Sequence, residues 1–176
     1  LGNYPAHSSY FGIVDMCGFK KDRFYLYQSQ WSEKPMVHLL PHWNWNGREG
    51  EVTPVYIYSN CAVVELFVNG ESKGKKEKTE NTYRHKWEEI TYQPGSIKAI
   101  GYDLRGNILC EKEIKTAGIP SNISLVPDRT EISANGDDLS FITVKITDKE
   151  GNLCPDASNL VRFDIEGEGT LLSVGN

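Results

Sequence analysis

The dipeptide Asn69-Gly70 constrains the fold of this chain most, because it directly follows a segment with an alternating apolar pattern. A two-residue type I′ hairpin needs a positive φ at both turn positions, and Asn-Gly meets this need well. Before the turn, Val64, Leu66 and Val68 follow the two-residue period of a strand with one face in a core. The sequence therefore predicts two antiparallel strands at this point.

Further strand patterns extend from residue 36 to about residue 116. Val55 and Ile57 alternate in the same way, and turn dipeptides such as Pro94-Gly95 separate the later patterns. Strands about ten residues apart with no helix between them are typical of an antiparallel β-sandwich. Besides the hairpin, we predict strands at residues 85–92, 96–102 and 108–115.

A second series of strand patterns begins after Gly118. Its residues, 119–176, are fewer than the roughly 100 of an immunoglobulin-like sandwich. We therefore expect this second module to be truncated and the chain to be part of a longer protein. An incomplete sheet exposes backbone groups and apolar side chains, which predicts self-association. The predicted strands are at residues 123–126, 139–148, 161–165 and 170–174.

A helix of about ten residues is predicted to begin near Asp22, which we take as its N-cap. Phe24, Tyr27 and Trp31 share one face at the helical period, and Pro35 follows the helix. So short a helix cannot form a core alone. We expect its aromatic face to remain partly exposed.

Charge and cysteine content exclude several classes of function. The net charge of −5 argues against nucleic-acid binding, and no apolar run approaches the roughly 20 residues of a membrane-spanning helix. The four cysteines form no C-x-x-C pair, so they predict neither a zinc site nor a thioredoxin-type redox site. We expect buried thiols, although three pairings are possible. The cysteines are Cys17, Cys61, Cys110 and Cys154.

Six separated segments, in order along the chain, resemble the C-terminal part of bacterial glycoside hydrolase family 2 enzymes of the β-galactosidase type. The segments are Ser8-Ser9-Tyr10-Phe11-Gly12-Ile13-Val14-Asp15, Cys17-Gly18-Phe19-Lys20-Lys21-Asp22, Lys34-Pro35-Met36-Val37-His38 with Pro41-His42-Trp43-Asn44-Trp45, Tyr58-Ser59-Asn60-Cys61, Val64-Glu65-Leu66-Phe67-Val68-Asn69-Gly70, and Thr116-Ala117-Gly118.

The resemblance implies a mainly β chain of three parts. Residues 1–35 would be the end of a (β/α)₈ catalytic barrel with its last helix, and residues 36–118 a β-sandwich. Residues 119–176 would be a partial bacterial immunoglobulin-like domain. The implied partners are the catalytic barrel of the same chain and, through the whole enzyme, a β-glycoside.

The resemblance also implies that this chain is not catalytic by itself. A retaining glycosidase uses two carboxyl groups about 5 to 5.5 Å apart, and in this family both are barrel glutamates that precede Ser8. We expect no catalytic residue, cofactor or metal ion. Other carboxylates are expected to have solvated roles, and Asp15 a loop hydrogen bond. The solvated ones are Glu49, Glu51, Glu88 and Glu89.

Trp43 and Trp45 are the candidate carbohydrate contacts, because in an extended segment they would point to the same side and could stack on a sugar ring. Alternatively, these two rings cover the junction between the helix and the sandwich. His38 and His42 are four residues apart, but Pro41 argues against the helix that a shared metal site would need.

Two functions from different classes remain open at this stage. The chain is either an accessory region of a β-galactosidase-like enzyme or an independent carbohydrate- or surface-binding module. The predicted aromatic helix favours the first, because a binding module has no need of it. We expect a periplasmic or extracellular location rather than a cytoplasmic one.

Overall fold

The structure, a computed structural model, describes residues 11–175. Ser8, Ser9 and Tyr10 of the first recognised segment lie outside the described residues, as does the start of the predicted barrel end. The division of the chain into three parts, with boundaries after residues 35 and 118, stays a prediction. In chain order, the elements are α1 (Asp22–Trp31), β1 (Val37–Leu40), β2 (Val55–Ser59), β3 (Val63–Val68), β4 (Glu71–Glu77), β5 (His85–Trp87), β6 (Ser96–Tyr102), β7 (Ile108–Lys115), β8 (Asn122–Pro127) and β9 (Ile142–Thr147).

Two antiparallel sheets form the sandwich predicted for the middle of the chain. The first has the strand order β1-β2-β5 and the second β4-β3-β6-β7. Side chains from both sheets bury one another, among them Leu39 and Ile57 from the first and Leu66 and Ile97 from the second. The mainly β, antiparallel class is therefore confirmed.

The predicted hairpin at Asn69-Gly70 joins β3 to β4. The φ angles are 50° at Asn69 and 82° at Gly70, as a type I′ turn requires, and Val68 pairs with Glu71 across the turn. Because the register of β3 is fixed there, its alternate residues enter the core, as predicted.

The strand predicted at residues 85–92 is wrong beyond Trp87, where β5 ends. The apolar alternation continues, since Ile90 and Tyr92 are buried in the core. However, the backbone of Tyr92 bonds to Glu51 and Gly50 in the preceding loop rather than to a strand of the sheet. Periodicity predicted burial correctly, but it could not predict the hydrogen-bond partner.

The second strand series yields one antiparallel pair, β8 with β9. The predicted strands at 161–165 and 170–174 are wrong: those segments contain no strand. Extended chain becomes a strand only when a neighbouring strand accepts its hydrogen bonds, and among the described residues β8 pairs only with β9. Apolar side chains such as Ile123, Leu125 and Phe141 remain exposed; the expected self-association stays a prediction.

The helix begins at Asp22 as its first residue, so the prediction of Asp22 as N-cap is wrong. Lys21 occupies the cap position with an extended backbone and offers no side-chain hydrogen bond. The Asp22 carboxylate is engaged elsewhere, 2.9 Å from His38. Within residues 11–175, no helix has the length and hydrophobicity needed to cross a bilayer.

The cysteines differ in exposure. Cys61 and Cys154 are buried, as predicted, and Cys110 is half-buried. The expectation is wrong for Cys17, which is exposed because its turn lies on the surface.

Candidate functional site

Aromatic side chains attach one side of α1 to the outer face of the three-stranded sheet. The Tyr25 ring stacks on the His38 imidazole with centroids 3.8 Å apart, and His38 Nε2 lies 2.9 Å from Asp22 Oδ1. Tyr58 continues the stack 6.3 Å beyond His38. Burial, followed by the Asp22 carboxylate, raises the pKa of the Tyr58 phenol. The phenol is therefore neutral, and the cluster holds the helix on the sheet.

The other side of α1 presents aromatic rings to solvent. Tyr27 and Trp31 stack with centroids 4.9 Å apart, and Trp31 is 78% exposed. Phe24 is half-buried, with the Lys20 ammonium 4.5 Å from its centroid. The predicted partial exposure of the aromatic face is confirmed, and the Tyr27–Trp31 pair forms its most exposed part.

The recognised segment Tyr58-Ser59-Asn60-Cys61 fixes the connection between α1 and β1. The Asn60 amide donates to the carbonyl oxygens of Ser32 and Lys34, both at 2.8 Å, and accepts from the Met36 amide at 2.9 Å. Sequence reasoning singled out this segment but missed its role. Asn60 lies just after β2, so its contacts become visible only when the two segments are placed side by side.

Trp43 lies inside the sandwich core with none of its surface exposed. Its indole nitrogen donates to the Gln93 carbonyl at 3.0 Å, and its ring meets Tyr92 edge-on. A ring enclosed in this way offers no face to a sugar. The carbohydrate-contact prediction therefore rests on Trp45 alone.

Trp45 is half-buried, and charged or aromatic neighbours contact its ring. The His42 imidazole stacks on it at 4.4 Å, and the Arg48 guanidinium carbon lies 4.9 Å from its centroid. Its indole nitrogen is buried and has no hydrogen-bond partner in the described part of the chain. A sugar contact at Trp45 would have to share the ring with these neighbours, and it stays a prediction.

The segment that carries the two tryptophans also fixes the exit of β7. The Asn44 side-chain oxygen accepts from the Ala117 amide at 2.7 Å, and the Thr116 hydroxyl donates to the Trp43 carbonyl. Two recognised segments, far apart in sequence, thus bind each other. Their observed role is structural.

The carboxylates have the solvated or local roles that we predicted. Glu49, Glu51, Glu88 and Glu89 are exposed. Asp15 accepts from the backbone amides of Cys17 and Phe19, which confirms the loop hydrogen bond.

Several aspartates have pKa values shifted in the direction opposite to that of a general acid, which needs a raised pKa. The Gly118 amide, with the Asn152 side chain, lowers the pKa of Asp148 to about 2. The Asn107 side chain lowers that of Asp103. His38 and His42 have separate contacts, and residues 11–175 contain no cluster of three or more ligands that could hold a metal ion.

Two family models match this chain. Residues 50–110 match a domain of unknown function (DUF4982), and residues 123–176 match glycoside hydrolase family 2 C-terminal domain 5.

Similar proteins include glycosidases of known sequence and structure. A β-galactosidase of Bacteroides ovatus is 49% identical over 98% of this chain and 20% of its own length. A putative β-glucuronidase of Formosa agariphila is 35% identical over 99% of the chain and 17% of its own length. The crystal structure of a β-glycosidase from Bacteroides vulgatus has a TM-score of 0.80 and 43% identity, covering 85% of this chain and 19% of that one. The chain thus spans about a fifth of these relatives.

Proposed function

Because this chain belongs to glycoside hydrolase family 2 and corresponds to the C-terminal region of its members, we propose that it is the non-catalytic accessory region of a β-galactosidase-like retaining glycosidase. In this proposal the longer enzyme, called the parent below, hydrolyses terminal β-galactosides or related β-glycosides. The sandwich braces the catalytic part of that enzyme.

The two unlike sides of α1 carry this proposal. Tyr25 and His38 bind one side of the helix to the sandwich, whereas Tyr27 and Trp31 form a stacked, exposed pair on another side. Large exposed aromatic patches usually contact another surface. One side of α1 is anchored to the sandwich, and another side presents exposed aromatic rings. Such a helix can connect the sandwich to a second structural part of the enzyme.

The relatives support the class of reaction for the parent but leave its sugar open. One is a β-galactosidase and another is a putative β-glucuronidase. Galactosides and glucuronides differ in the configuration at C4 and in the substituent at C5, and the parent's catalytic site must distinguish these features. We assign the choice of sugar to that site.

Substitution of Trp31 in the full-length parent tests the proposed brace. We expect Trp31→Ala to lower the temperature at which activity is lost, because truncating a buried interface tryptophan costs about 2 kcal/mol or more. Leu104→Ala is the matched control, since Leu104 is 90% exposed in the turn after β6. Equal inactivation temperatures for the two variants would contradict the brace.

The isolated chain tests the non-catalytic assignment and the alternative function. Purified chain should hydrolyse no chromogenic β-galactoside above buffer background, because it lacks the two carboxyl groups of the mechanism. Turnover that survives removal of contaminating enzyme would overturn this. Polysaccharide binding that is lost in Trp31→Ala, with the parent's stability unchanged, would instead favour a binding module.

A further inference from the structure

Two cysteines far apart in sequence meet across one glycine of the sandwich. Cys61 lies between β2 and β3, Cys110 lies on β7, and their sulfur atoms are 3.5 Å apart. Gly101 of β6 pairs with Cys110 in the sheet. Both thiols therefore lie beside β6, the strand that separates β3 from β7 in the sheet.

Gly101 provides the space in which the two sulfur atoms meet. A Cβ atom at this position would lie 2.5 Å from the Cys61 sulfur and 3.1 Å from the Cys110 sulfur. The backbone of Gly101 is not in the left-handed region, so no turn requires glycine here. The missing side chain serves the approach of the two thiols.

We propose that Cys61 and Cys110 are a disulfide-forming pair that a small hydroperoxide oxidises. A disulfide needs sulfur atoms about 2.05 Å apart, so the present separation must shorten by roughly 1.5 Å, which side-chain rotation can supply. The bond would tie β7 to the start of β3 across β6. It would close a loop of about fifty residues.

The Cys61 thiol is the one suited to react first. The hydrogen bond shared with Cys110, opposed by burial and reinforced by the Ser59 hydroxyl, lowers the pKa of Cys61. The same pairing raises the pKa of Cys110. Of the two thiols, Cys61 therefore forms a thiolate more readily, and a thiolate is the nucleophilic form of cysteine.

Access favours a small oxidant. Cys61 is only 2% exposed, but a surface cleft of about 340 Å³, lined by Asn60, Asp103 and Arg105 among others, adjoins it. A peroxide is little larger than water, whereas a protein disulfide could not reach the buried sulfur.

The oxidation balances in two steps. With hydrogen peroxide as the oxidant, the Cys61 thiolate attacks one peroxide oxygen, the O–O bond breaks, and protonation of the leaving hydroxide gives a sulfenic acid and one water. The Cys110 sulfur then attacks the Cys61 sulfur, and the sulfenic hydroxyl leaves with the Cys110 proton as a second water. Two thiols lose two electrons in total, and one hydroperoxide is reduced.

Peroxide treatment followed by peptide mapping tests the pair. The chain is used with Cys17→Ala, because the exposed Cys17 could link two molecules. After alkylation and digestion without reductant, we expect a Cys61–Cys110 peptide lighter by two hydrogens, with Cys154 still alkylated. A sulfinic acid on Cys61 without this peptide, or alkylation of both thiols after peroxide, would overturn the proposal.

Thermal unfolding gives a second measurement. The cross-link should raise the melting temperature by about 5–15 °C, because it restricts the unfolded chain, and dithiothreitol should reverse the rise. Cys110→Ala should abolish it, whereas the control Cys154→Ala should retain it. A peroxide-induced rise that persists in Cys110→Ala would assign the effect to another site and overturn the proposal.

Discussion

The His38 imidazole lies almost parallel to the Tyr25 ring, with an interplanar angle of 8° and a centroid separation of 3.8 Å. The same imidazole contacts the Asp22 carboxylate at the first residue of α1. His38 of β1 thus contacts the helix at two points, Asp22 and Tyr25, on the same face of its first turn. Because two contacts fix an orientation where one does not, α1 is held at a set angle on the sandwich, and this sets the direction in which Trp31 points.

We predict that the two tyrosines of α1 differ in their effect on stability. Tyr25→Ala should lower the free energy of unfolding by about 1–3 kcal/mol, because it removes a stacked, partly buried ring. Tyr27→Ala should lower the free energy of unfolding less, by about 1 kcal/mol or below, because within residues 11–175 the Tyr27 ring stacks only on Trp31, another exposed ring of the same helix. Urea unfolding followed by circular dichroism compares them, and equal losses would show that the His38 contact does not hold the helix.

A second prediction concerns Asn69, whose side chain joins two turns. Its amide oxygen accepts from the Ser96 amide at 2.7 Å, and its nitrogen donates to the Pro94 carbonyl at 3.2 Å. Asn69→Gly keeps the positive φ but loses these two hydrogen bonds, so it should lower the free energy of unfolding by about 1–2 kcal/mol. Asn69→Ala should cost about 1 kcal/mol more, since alanine resists a positive φ.

Gly95 supplies the matched control for Asn69. A Cβ at Gly95 would lie 1.9 Å from the Asn69 side-chain oxygen. Gly95→Ala should therefore destabilise the wild type more than it destabilises Asn69→Gly, with a coupling energy of about 0.5 kcal/mol or more. If Gly95→Ala lowers the free energy of unfolding equally in the wild type and in Asn69→Gly, the clash is relieved without displacing Asn69.

Local patterns predicted much of the sandwich because each depends on residues close in sequence. The hairpin at Asn69 follows from turn geometry, and the burial of Leu66 follows from its period of two. Trp43 shows the limit of this reasoning. Alternation with Trp45 suggested a shared surface, but the segment is not a strand, and Trp43 turns into a core formed by distant residues such as Tyr92.

The interactions of Asn60 and of the Cys61–Cys110 pair were beyond sequence reasoning for a related reason. Asn60 meets Lys34 from 26 residues away, and the two sulfur atoms come from positions 49 residues apart. A single sequence has no periodicity that joins such positions. Gly101 was the available signal, because a glycine inside a strand often marks a close approach by another group.

The third prediction concerns the buried imidazole of His85, whose Nε2 has no hydrogen-bond partner in residues 11–175. Burial, followed by the positive charges of Lys78 and Lys76, lowers its pKa from 6.5 to about 4. The unfolded chain therefore binds a proton more readily than the folded one. The stability present above pH 6.5 should be lost progressively as the pH falls toward 4, by about 3 kcal/mol at most.

His85→Leu should flatten this part of the pH profile, because leucine cannot bind a proton in the unfolded state. Urea unfolding between pH 4 and pH 8 measures the difference between wild type and variant. Measurements at pH 8, where His85 is neutral in both states, give the effect of the substitution on packing alone. Parallel profiles would mean that other groups cause the acid sensitivity.

Two loops of the same sequence pattern, Asp-x-x-Gly-Asn, offer a final comparison. In each, the aspartate Oδ1 accepts the backbone amides two and four residues later, and the glycine has a φ near 85°. Within residues 11–175, the Asp103 carboxylate accepts hydrogen bonds only from its own loop. Asp148 also accepts from the Gly118 amide at 2.8 Å, so its loop holds the segment between β7 and β8.

We predict that Asp148→Ala frees the Gly118 amide and that Asp103→Ala does not. Hydrogen exchange at Gly118 should accelerate at least about tenfold in the first variant, because the amide loses its acceptor, and should be unchanged in the second. In the wild type, the pKa of about 2 keeps the Asp148 carboxylate ionised below the ordinary value of 3.8. Since a lowered folded-state pKa contributes stability that is lost only as the pH falls through it, the link should persist at pH 3 and fail near pH 2. Equal exchange at Gly118 in both variants would show that another acceptor holds this segment.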